Sequence, residues 1–220
     1  MPVLDRLAEE ILPRFDAMDR ARENALRMSR GCIRICSAAI RSVHRGEFTE
    51  AERLIDEADG TLNDVREMLK GYPEIRYAGY VDDAEQEYAE ARNVYSLIAR
   101  HELLDPGEIG VDPVNYLSGL GDVTGELRRH ILDLIREGRP GEGEYYLETM
   151  EEIYHLLMLF DYPEAITRGL RRKSDLARSM LERTRGDLTN AVEMEKVGSG
   201  LKRIEDKLKE SGFTGLSHEI

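Results

Sequence analysis

The sequence predicts an all-α protein, built as a single-domain bundle of six to seven long helices. Helix-breaking residues fall at wide intervals along the 220 residues, and the apolar residues between them recur three and four positions apart. No segment alternates polar and apolar residues between turn signals, so strands are not expected. With 41% hydrophobic residues the chain can build a packed core. The short linkers favour one domain over residues 1–220.

The first two helices are predicted in the N-terminal third of the chain. The first runs from Leu4 to Arg45, with Gly31 as its weakest position, and at 1.5 Å per residue it would be about 60 Å long. The second covers Phe48–Lys70, where Thr49 followed three residues later by Glu52 forms a capping-box pattern. Both segments carry the apolar spacing of an amphipathic helix.

Turn residues divide the rest of the chain into shorter helical segments. These are a third helix from Pro73 or Asp82 to His101, a fourth over Asp112–Arg136, a fifth over Glu142–Leu159, and a sixth that Pro163 opens at its first turn. Three glycines interrupt the C-terminal part of the chain, at Gly186, Gly198 and Gly200. A final helix is therefore predicted only from about Leu188 to Glu210.

The charge balance excludes a protein whose whole surface binds nucleic acid. Lysine and arginine number 31 against 44 aspartates and glutamates, a net charge of −13, so any nucleic-acid site has to be local. No apolar run reaches membrane-spanning length and no secretory signal opens the chain, so we expect a soluble, cytoplasmic protein with no membrane partner. Cys32 and Cys36 are too few for a disulfide scaffold or a thiolate zinc site and are interpreted as core thiols.

Two carboxylates of the third helix lie on its apolar face. Glu87 and Glu90 fall inside the apolar arc of the helical wheel, whereas Glu85 is predicted on the solvent face. The arc consists of Ala84, Ala91, Val94, Leu97 and Ile98. Burial of an unpaired carboxylate costs several kcal/mol. The pair therefore requires either an arginine from a neighbouring helix or a divalent metal, for which carboxylates one turn apart are suitable ligands.

The fourth helix supplies a second acidic pair, Asp122 and Glu126, spaced i and i+4. This pair lies off the apolar stripe, and taken alone it is typical of a solvated face. Gly119, Gly121 and Gly125 surround it with small residues that let another backbone or a substrate approach closely. Four carboxylates on two helices predict a magnesium or manganese site with open positions for water and phosphate.

The first helix carries a one-sided basic surface, which we call the arginine stripe. It contains no acidic residue and falls within about 60° of the helix circumference. Its members are Arg27, Arg30, Arg34, Arg41 and Arg45. Arginine forks match phosphate oxygens, so the stripe predicts a track for a polyanion. A second basic cluster that could extend it comprises Arg168, Arg171, Arg172 and Lys173.

A single Glu-x-x-His pattern occurs on the fifth helix, at Glu152 and His155. Di-iron helical bundles use this pattern twice. Because His155 adjoins an apolar run that ends at Phe160, it is interpreted as a core histidine rather than a metal ligand.

Three segments resemble the translin superfamily. The segment DPVNYLSGLGDVTGELRRHILDLIREG, residues 112–138, resembles the superfamily signature, and its DVTGEL core is more similar to TRAX than to translin. The segment EYAEA, from Glu87 to Ala91, resembles the TRAX motif Glu-Tyr-x-Glu-Ala. The segment RMSR, from Arg27 to Arg30, together with residues 40–45 resembles the corresponding first-helix segment, and the similarity extends from the first helix to about residue 190.

The resemblance implies a translin-like fold that assembles into a closed, octameric shell, with its basic and catalytic groups facing the interior. It also implies a metal-dependent endoribonuclease whose acidic residues are Glu87, Glu90, Asp122 and Glu126. Mg²⁺ would be the cofactor, with Mn²⁺ as a substitute, and the metal would activate a water for attack on single-stranded RNA. The arginine stripe would hold the nucleic-acid backbone, with single-stranded DNA as a second ligand. A homo-oligomer is expected, since the chain carries both the stripe and the acids.

Three alternatives remain open at this point. The first is a non-catalytic, translin-like protein that binds RNA or single-stranded DNA and uses the acids only in ion pairs. The second is a ferritin-like di-iron protein with ligands Glu87, Glu90, Glu126, Glu152 and His155, although the second Glu-x-x-His is missing. The third is a helical scaffold for protein partners.

Overall fold

The computed structural model describes residues 2–210, and this part of the chain is helical almost throughout. It contains no β-strand, which confirms the predicted fold class. Nine α-helices and one short 3-10 helix occur in it. They are α1 (Pro2–His44), α2 (Phe48–Leu69), α3 (Pro73–Arg76), α4 (Asp82–Arg100), α5 (Pro106–Ile109), α6 (Pro113–Arg136), the 3-10 helix Pro140–Glu142, α7 (Gly143–Met158), α8 (Glu164–Thr167) and α9 (Leu170–Glu210).

Six long helices form the bundle, and α6 lies at its centre. The hairpin of α1 and α2 packs against α4, and α6 packs against α4, α7 and α9. Leucines with no exposed surface, among them Leu62, Leu120 and Leu127, fill the space between these helices. None of the helices in residues 2–210 combines the length and apolarity that a membrane-spanning segment needs.

Two details of the predicted helices are wrong. The final helix does not begin near Leu188, because α9 runs unbroken from Leu170 and its glycines lie in open space on exposed turns. Burial of its first half against α6 and α7 outweighs a helix-propensity cost of about 1 kcal/mol for each glycine. Helix α2 begins after Glu47 without the predicted capping hydrogen bond of Thr49. Of the two predicted starts of the third helix, Asp82 is confirmed, because α4 begins there and Pro73 begins the separate short helix α3. Helix α1 also continues through Pro13.

Glu85 is the most deeply buried carboxylate of α4, which corrects its predicted place on the solvent face. Its Oε1 accepts hydrogen bonds from Arg66 at 3.1 Å and Arg76 at 2.8 Å, and its Oε2 accepts one from Asn115 Nδ2 at 2.9 Å. Helices α2 and α3 cover this face of α4 and bring both guanidinium groups to it. The network ties α2, α3, α4 and α6 together at one end of the bundle.

Gly119 permits the close approach of α4 and α6. A Cβ atom at this position would lie 2.7 Å from the carbonyl oxygen of Gln86 and 3.1 Å from both Ala89 Cβ and the backbone nitrogen of Glu90. A Cβ at Gly121 would likewise lie 2.8 Å from Lys173 Cβ on α9. The predicted role of these small residues, close approach of another helix, is confirmed at both positions.

Substitution of Gly119 by alanine should therefore destabilise the protein. The methyl group would meet backbone atoms that cannot move without separating α4 from α6, so we expect the free energy of unfolding to fall by about 1–3 kcal/mol. Gly60→Ala in α2 is the matched control, because nothing lies within 4 Å of that position. That variant should gain up to about 1 kcal/mol from helix propensity. Urea denaturation of both variants measures the difference, and equal effects would contradict the proposed contact.

Candidate active site

Carboxylates from α4 and α6 form one cluster, which we call the acidic cluster: Glu87, Glu90, Asp122 and Glu126. The close contact at Gly119 places the two helices side by side, and Gln86 Nε2 donates a hydrogen bond of 2.7 Å to Asp122 Oδ2. The negative charges of Asp122 and Glu126 act on both Glu87 and Glu90. The structure thus brings together all four of the predicted acidic residues.

Glu90 is the buried member of the acidic cluster, with 8% of its surface exposed. Burial, followed by the charges of Glu87, Asp122 and Glu126, raises the pKa of Glu90 to about 9. The pKa of half-buried Glu87 is raised by burial and by the charge of Asp122. Within the described residues the Glu90 carboxylate takes part in no hydrogen bond or ion pair. Repulsion among the carboxylates and burial therefore keep a proton on Glu90 when no cation is bound.

Lys173 of α9 reaches into the acidic cluster. Its Nζ lies 2.6 Å from each carboxylate oxygen of Asp122, and its side chain is three-quarters buried. The sequence grouped this lysine with Arg168, Arg171 and Arg172, but the structure separates them. Arg168 pairs with Asp82 and Asp112, whereas Arg171 and Arg172 are exposed. Lys173 could have been separated from these arginines by its spacing in the sequence. It lies three residues after Leu170 and four before Ala177, both buried, which places it beside the buried face of α9.

His44 of α1 contacts the other end of the acidic cluster. Its Nε2 lies 2.6 Å from Glu126 Oε2, and only 2% of the histidine side chain is exposed. This hydrogen bond lowers the pKa of Glu126. His44 was not predicted as a site residue, because its partner Glu126 lies 82 residues away in the chain.

The acidic cluster offers suitable ligands for a divalent cation, but its side chains do not converge on one point. Carboxylate oxygens are the donors that Mg²⁺ and Mn²⁺ prefer, and a bound cation would relieve the repulsion among the carboxylates in place of the proton on Glu90. Across residues 2–210, however, no group of three or more His, Cys, Asp or Glu side chains is arranged so that it could hold a metal ion. Asp122 and Glu126 instead pair with Lys173 and His44. The carboxylate oxygens are suitable metal ligands, but two of the carboxylates are oriented towards the basic side chains Lys173 and His44.

The arginine stripe is exposed along its whole length. None of Arg27, Arg30, Arg34, Arg41 and Arg45 forms an ion pair with a carboxylate in the described part of the chain, whereas Arg22 and Arg53 pair with acids on their own helices. Arg41 precedes His44 by one helical turn, so the stripe borders the acidic cluster. Unpaired guanidinium groups remain available for an external anion.

The remaining candidates are the Glu-x-x-His pair and the two cysteines, of which Cys36 lies close enough to the acidic cluster for the charges of Glu87 and Glu90 to act on its thiol. Glu152 and His155 are exposed on α7, so the interpretation of His155 as a core histidine is wrong, and the di-iron ligand set is not assembled. The apolar run after His155 lies at the end of α7, where Met158 and Leu159 are themselves exposed. Cys32 and Cys36 are buried with their sulfur atoms 4.0 Å apart, which confirms core thiols.

The raised pKa of Glu90 makes stability depend on pH. The folded protein holds a proton on Glu90 up to about pH 9, whereas the unfolded chain releases it near the ordinary value of 4.5. Wild-type stability should therefore fall as pH rises between these values, by up to about 1.4 kcal/mol per pH unit. Glu90→Gln removes this slope, so its stability advantage over wild type should grow with pH. Unfolding in chelator at about pH 5.5, 6.5 and 7.5, which lie inside this window, tests the prediction.

The control for this experiment is Glu67→Gln, an exposed glutamate of α2. Its stability difference from wild type should stay nearly constant over the same range, because exposed ion pairs contribute little. If the difference in free energy of unfolding between Glu90→Gln and wild type does not change with pH, Glu90 is ionised in the folded protein.

No family model matches the chain. An uncharacterized protein of Methanocaldococcus jannaschii is 34% identical over 194 residues, which cover 85% of this chain and 83% of that protein. Among solved structures, AfC3PO in complex with duplex RNA is similar with a TM-score of 0.77 and 35% identity, over 84% of this chain and 96% of its own. Apo-NeC3PO shares the fold, with a TM-score of 0.75 at 24% identity over 87% of this chain and 98% of its own.

The identity to AfC3PO extends over 96% of that protein's chain. Likeness of this extent in both sequence and structure is the mark of common descent. The chain belongs to the translin superfamily, together with the C3PO proteins.

Proposed function

We propose that this chain is a TRAX-like, metal-dependent endoribonuclease that acts on single-stranded RNA. The observation that carries the proposal is the acidic cluster, in which Glu90 is buried without a partner among three further carboxylates. Burying like charges together is costly, and proteins that do so commonly use the perturbed groups for chemistry. The same four positions match the acidic motifs of the resemblance to TRAX.

Glu87, Glu90, Asp122 and Glu126 would hold Mg²⁺, or Mn²⁺ in its place. When bound, such a cation supplies Lewis-acid activation of water and of the phosphodiester. Lys173 brings a positive charge to a site where four carboxylates would otherwise repel a phosphate. His44 fixes the orientation of Glu126 through its hydrogen bond.

The arginine stripe would hold the nucleic-acid backbone. Its exposed guanidinium groups lack internal partners and border the acidic cluster, which suits bidentate contacts to phosphate oxygens. AfC3PO forms a complex with duplex RNA, which supports RNA as the ligand of this chain too. Contacts of this kind read phosphates rather than bases, so the stripe binds single-stranded RNA, and single-stranded DNA as well, with little sequence preference.

A homo-octameric shell would reconcile the stripe with the net charge of −13. The acidic surface would face outward and the arginines inward, towards the RNA. Both long terminal helices expose apolar side chains that suit contacts between copies. Phe15 near the start of α1 is 62% exposed, and Met194 in the second half of α9 is 71% exposed.

A second candidate is a translin-like protein that binds RNA or single-stranded DNA without cleaving it. The observation in its favour is that Asp122 and Glu126 already pair with Lys173 and His44 instead of converging on one point. In that case the acidic cluster is a set of structural ion pairs, and the arginine stripe alone carries the function.

Metal-dependent cleavage decides between these candidates. With Mg²⁺, wild type should cleave a labelled single-stranded RNA, and chelator should abolish the cleavage. Asp122→Asn should lower the rate by at least about a hundredfold, since it removes one charged oxygen ligand. The matched control is Asp133→Asn on the same helix, where the carboxylate pairs only with Arg136. Undiminished cleavage by Asp122→Asn would remove the assigned site, and binding without cleavage by wild type would favour the second candidate.

Salt dependence tests the arginine stripe. Arg34→Gln should weaken binding of all single-stranded sequences alike and reduce the slope of log K against log salt by about 0.7. Arg53→Gln is the control, because Arg53 is equally exposed but paired with Glu50 and Glu57. Fluorescence anisotropy at several salt concentrations measures both slopes. Equal slopes for wild type and Arg34→Gln would exclude a phosphate contact at Arg34.

A further inference from the structure

A cavity of about 470 Å³ lies at the end of the bundle where α1 turns into α2. Four rings line it, those of Phe48, His101, His130 and Tyr146, and we call it the aromatic cavity. The rest of the lining is Ile98, Leu134, Glu142 and Arg139, whose guanidinium group pairs with Glu142 and Glu137. The volume is within the range of small-molecule sites. Nothing in the proposed cleavage reaction uses these residues.

The rings that line the aromatic cavity are held by contacts with neighbouring rings. The His130 and Tyr146 centroids lie 4.6 Å apart, edge to face, with an interplanar angle of 84°. His101 is tilted against Tyr146 at 5.9 Å and meets Tyr145, which lies outside the lining, at 4.7 Å and 78°. His101 ends α4 in the left-handed conformation, with φ of 57°, and this backbone turn directs its ring to the tyrosines. Phe48 meets Tyr95 of α4 edge to face, with centroids 6.4 Å apart.

The aromatic cavity adjoins the acidic cluster through α6. Glu126 and His130 are one turn apart on this helix, about 6 Å along its axis. His44 joins the two sites, because its Nε2 contacts Glu126 and its ring centroid lies 6.4 Å from that of His130. The arginine stripe also ends here, since Arg45 is three residues before Phe48. Phosphate-binding, acidic and aromatic groups therefore follow one another along this edge of the bundle.

We propose that the aromatic cavity binds one unstacked base of a single-stranded RNA whose backbone lies on the arginine stripe. The bases of a single strand expose planar faces that stack on aromatic side chains and on arginine. The distance from a base to its own phosphate is similar to the distance along α6 from Glu126 to His130, about 6 Å. A base in a duplex is already stacked and paired, so the site selects single strands. The inference rests on the proposed RNA-binding function and adds a subsite to it.

The test compares a single-stranded oligoribonucleotide with an abasic chain of the same length and charge. Affinities are measured by fluorescence anisotropy in chelator, with a blunt duplex of equal length as a third probe. Wild type should bind the natural strand about tenfold more tightly than the abasic chain. Phe48→Ala should lose most of this preference while its affinity for the abasic chain stays unchanged. His101→Ala is the second variant, in case Phe48→Ala folds poorly, and Tyr77→Ala, an exposed tyrosine outside the cavity, should keep the preference.

AMP provides a probe that does not depend on the stripe. It should shift the aromatic NMR signals of Phe48 and His130, whereas ribose 5-phosphate should not. Equal affinity for natural and abasic strands, or no response to AMP, would overturn the proposal. So would a change of oligomeric state in Phe48→Ala, because the cavity would then be a contact between copies. Loss of metal-dependent cleavage with the base preference intact would instead refute the nuclease and leave the base site standing.

Discussion

The close contact of α4 and α6 at Gly119 is the constraint on which the candidate site depends. It brings the carboxylate pair of α4, Glu87 and Glu90, close to the pair of α6, Asp122 and Glu126, in a partly buried region between the two helices. Such a cluster repels itself, so its existence requires compensation from elsewhere. Lysine from α9 and histidine from α1 supply part of it. Four helices, α1, α4, α6 and α9, therefore contribute side chains to the acidic cluster and to the cations that pair with it.

The sequence predicted the helices well where apolar periodicity was strong, and poorly where packing opposes local preference. The unbroken course of α9 follows from burial of its first half, which no count of glycines reveals. The acids at Glu87, Glu90, Asp122 and Glu126 were predictable because two of them interrupt an apolar face. Lys173 and His44 were not recognised, because their partners lie far away in the chain. Glu85 was misplaced for the same reason, since its arginines come from α2 and α3. The single domain over residues 1–220 stays a prediction.

The arginine stripe is set apart from the acidic residues of this negatively charged protein. Several surface arginines, Arg53 and Arg136 among them, pair with carboxylates three or four residues away, which limits their reach. The arginine stripe lacks such partners and ends beside the acidic and aromatic groups. A long anion that followed the stripe would meet first positive charge, then the acidic cluster and then the rings, in an order set by the two helices α1 and α6.

The Lys173–Asp122 pair has a thermodynamic consequence. Any divalent cation that coordinates Asp122 competes with the ammonium group for the same two oxygens, so occupancy of the site and docking of α9 are linked functions. By reciprocity, whatever loosens α9 from α6 raises cation affinity to the same extent that the cation loosens α9. The same helix extends far beyond the bundle with its apolar side exposed. Displacement of its distant end would therefore change the affinity of Asp122 for such a cation.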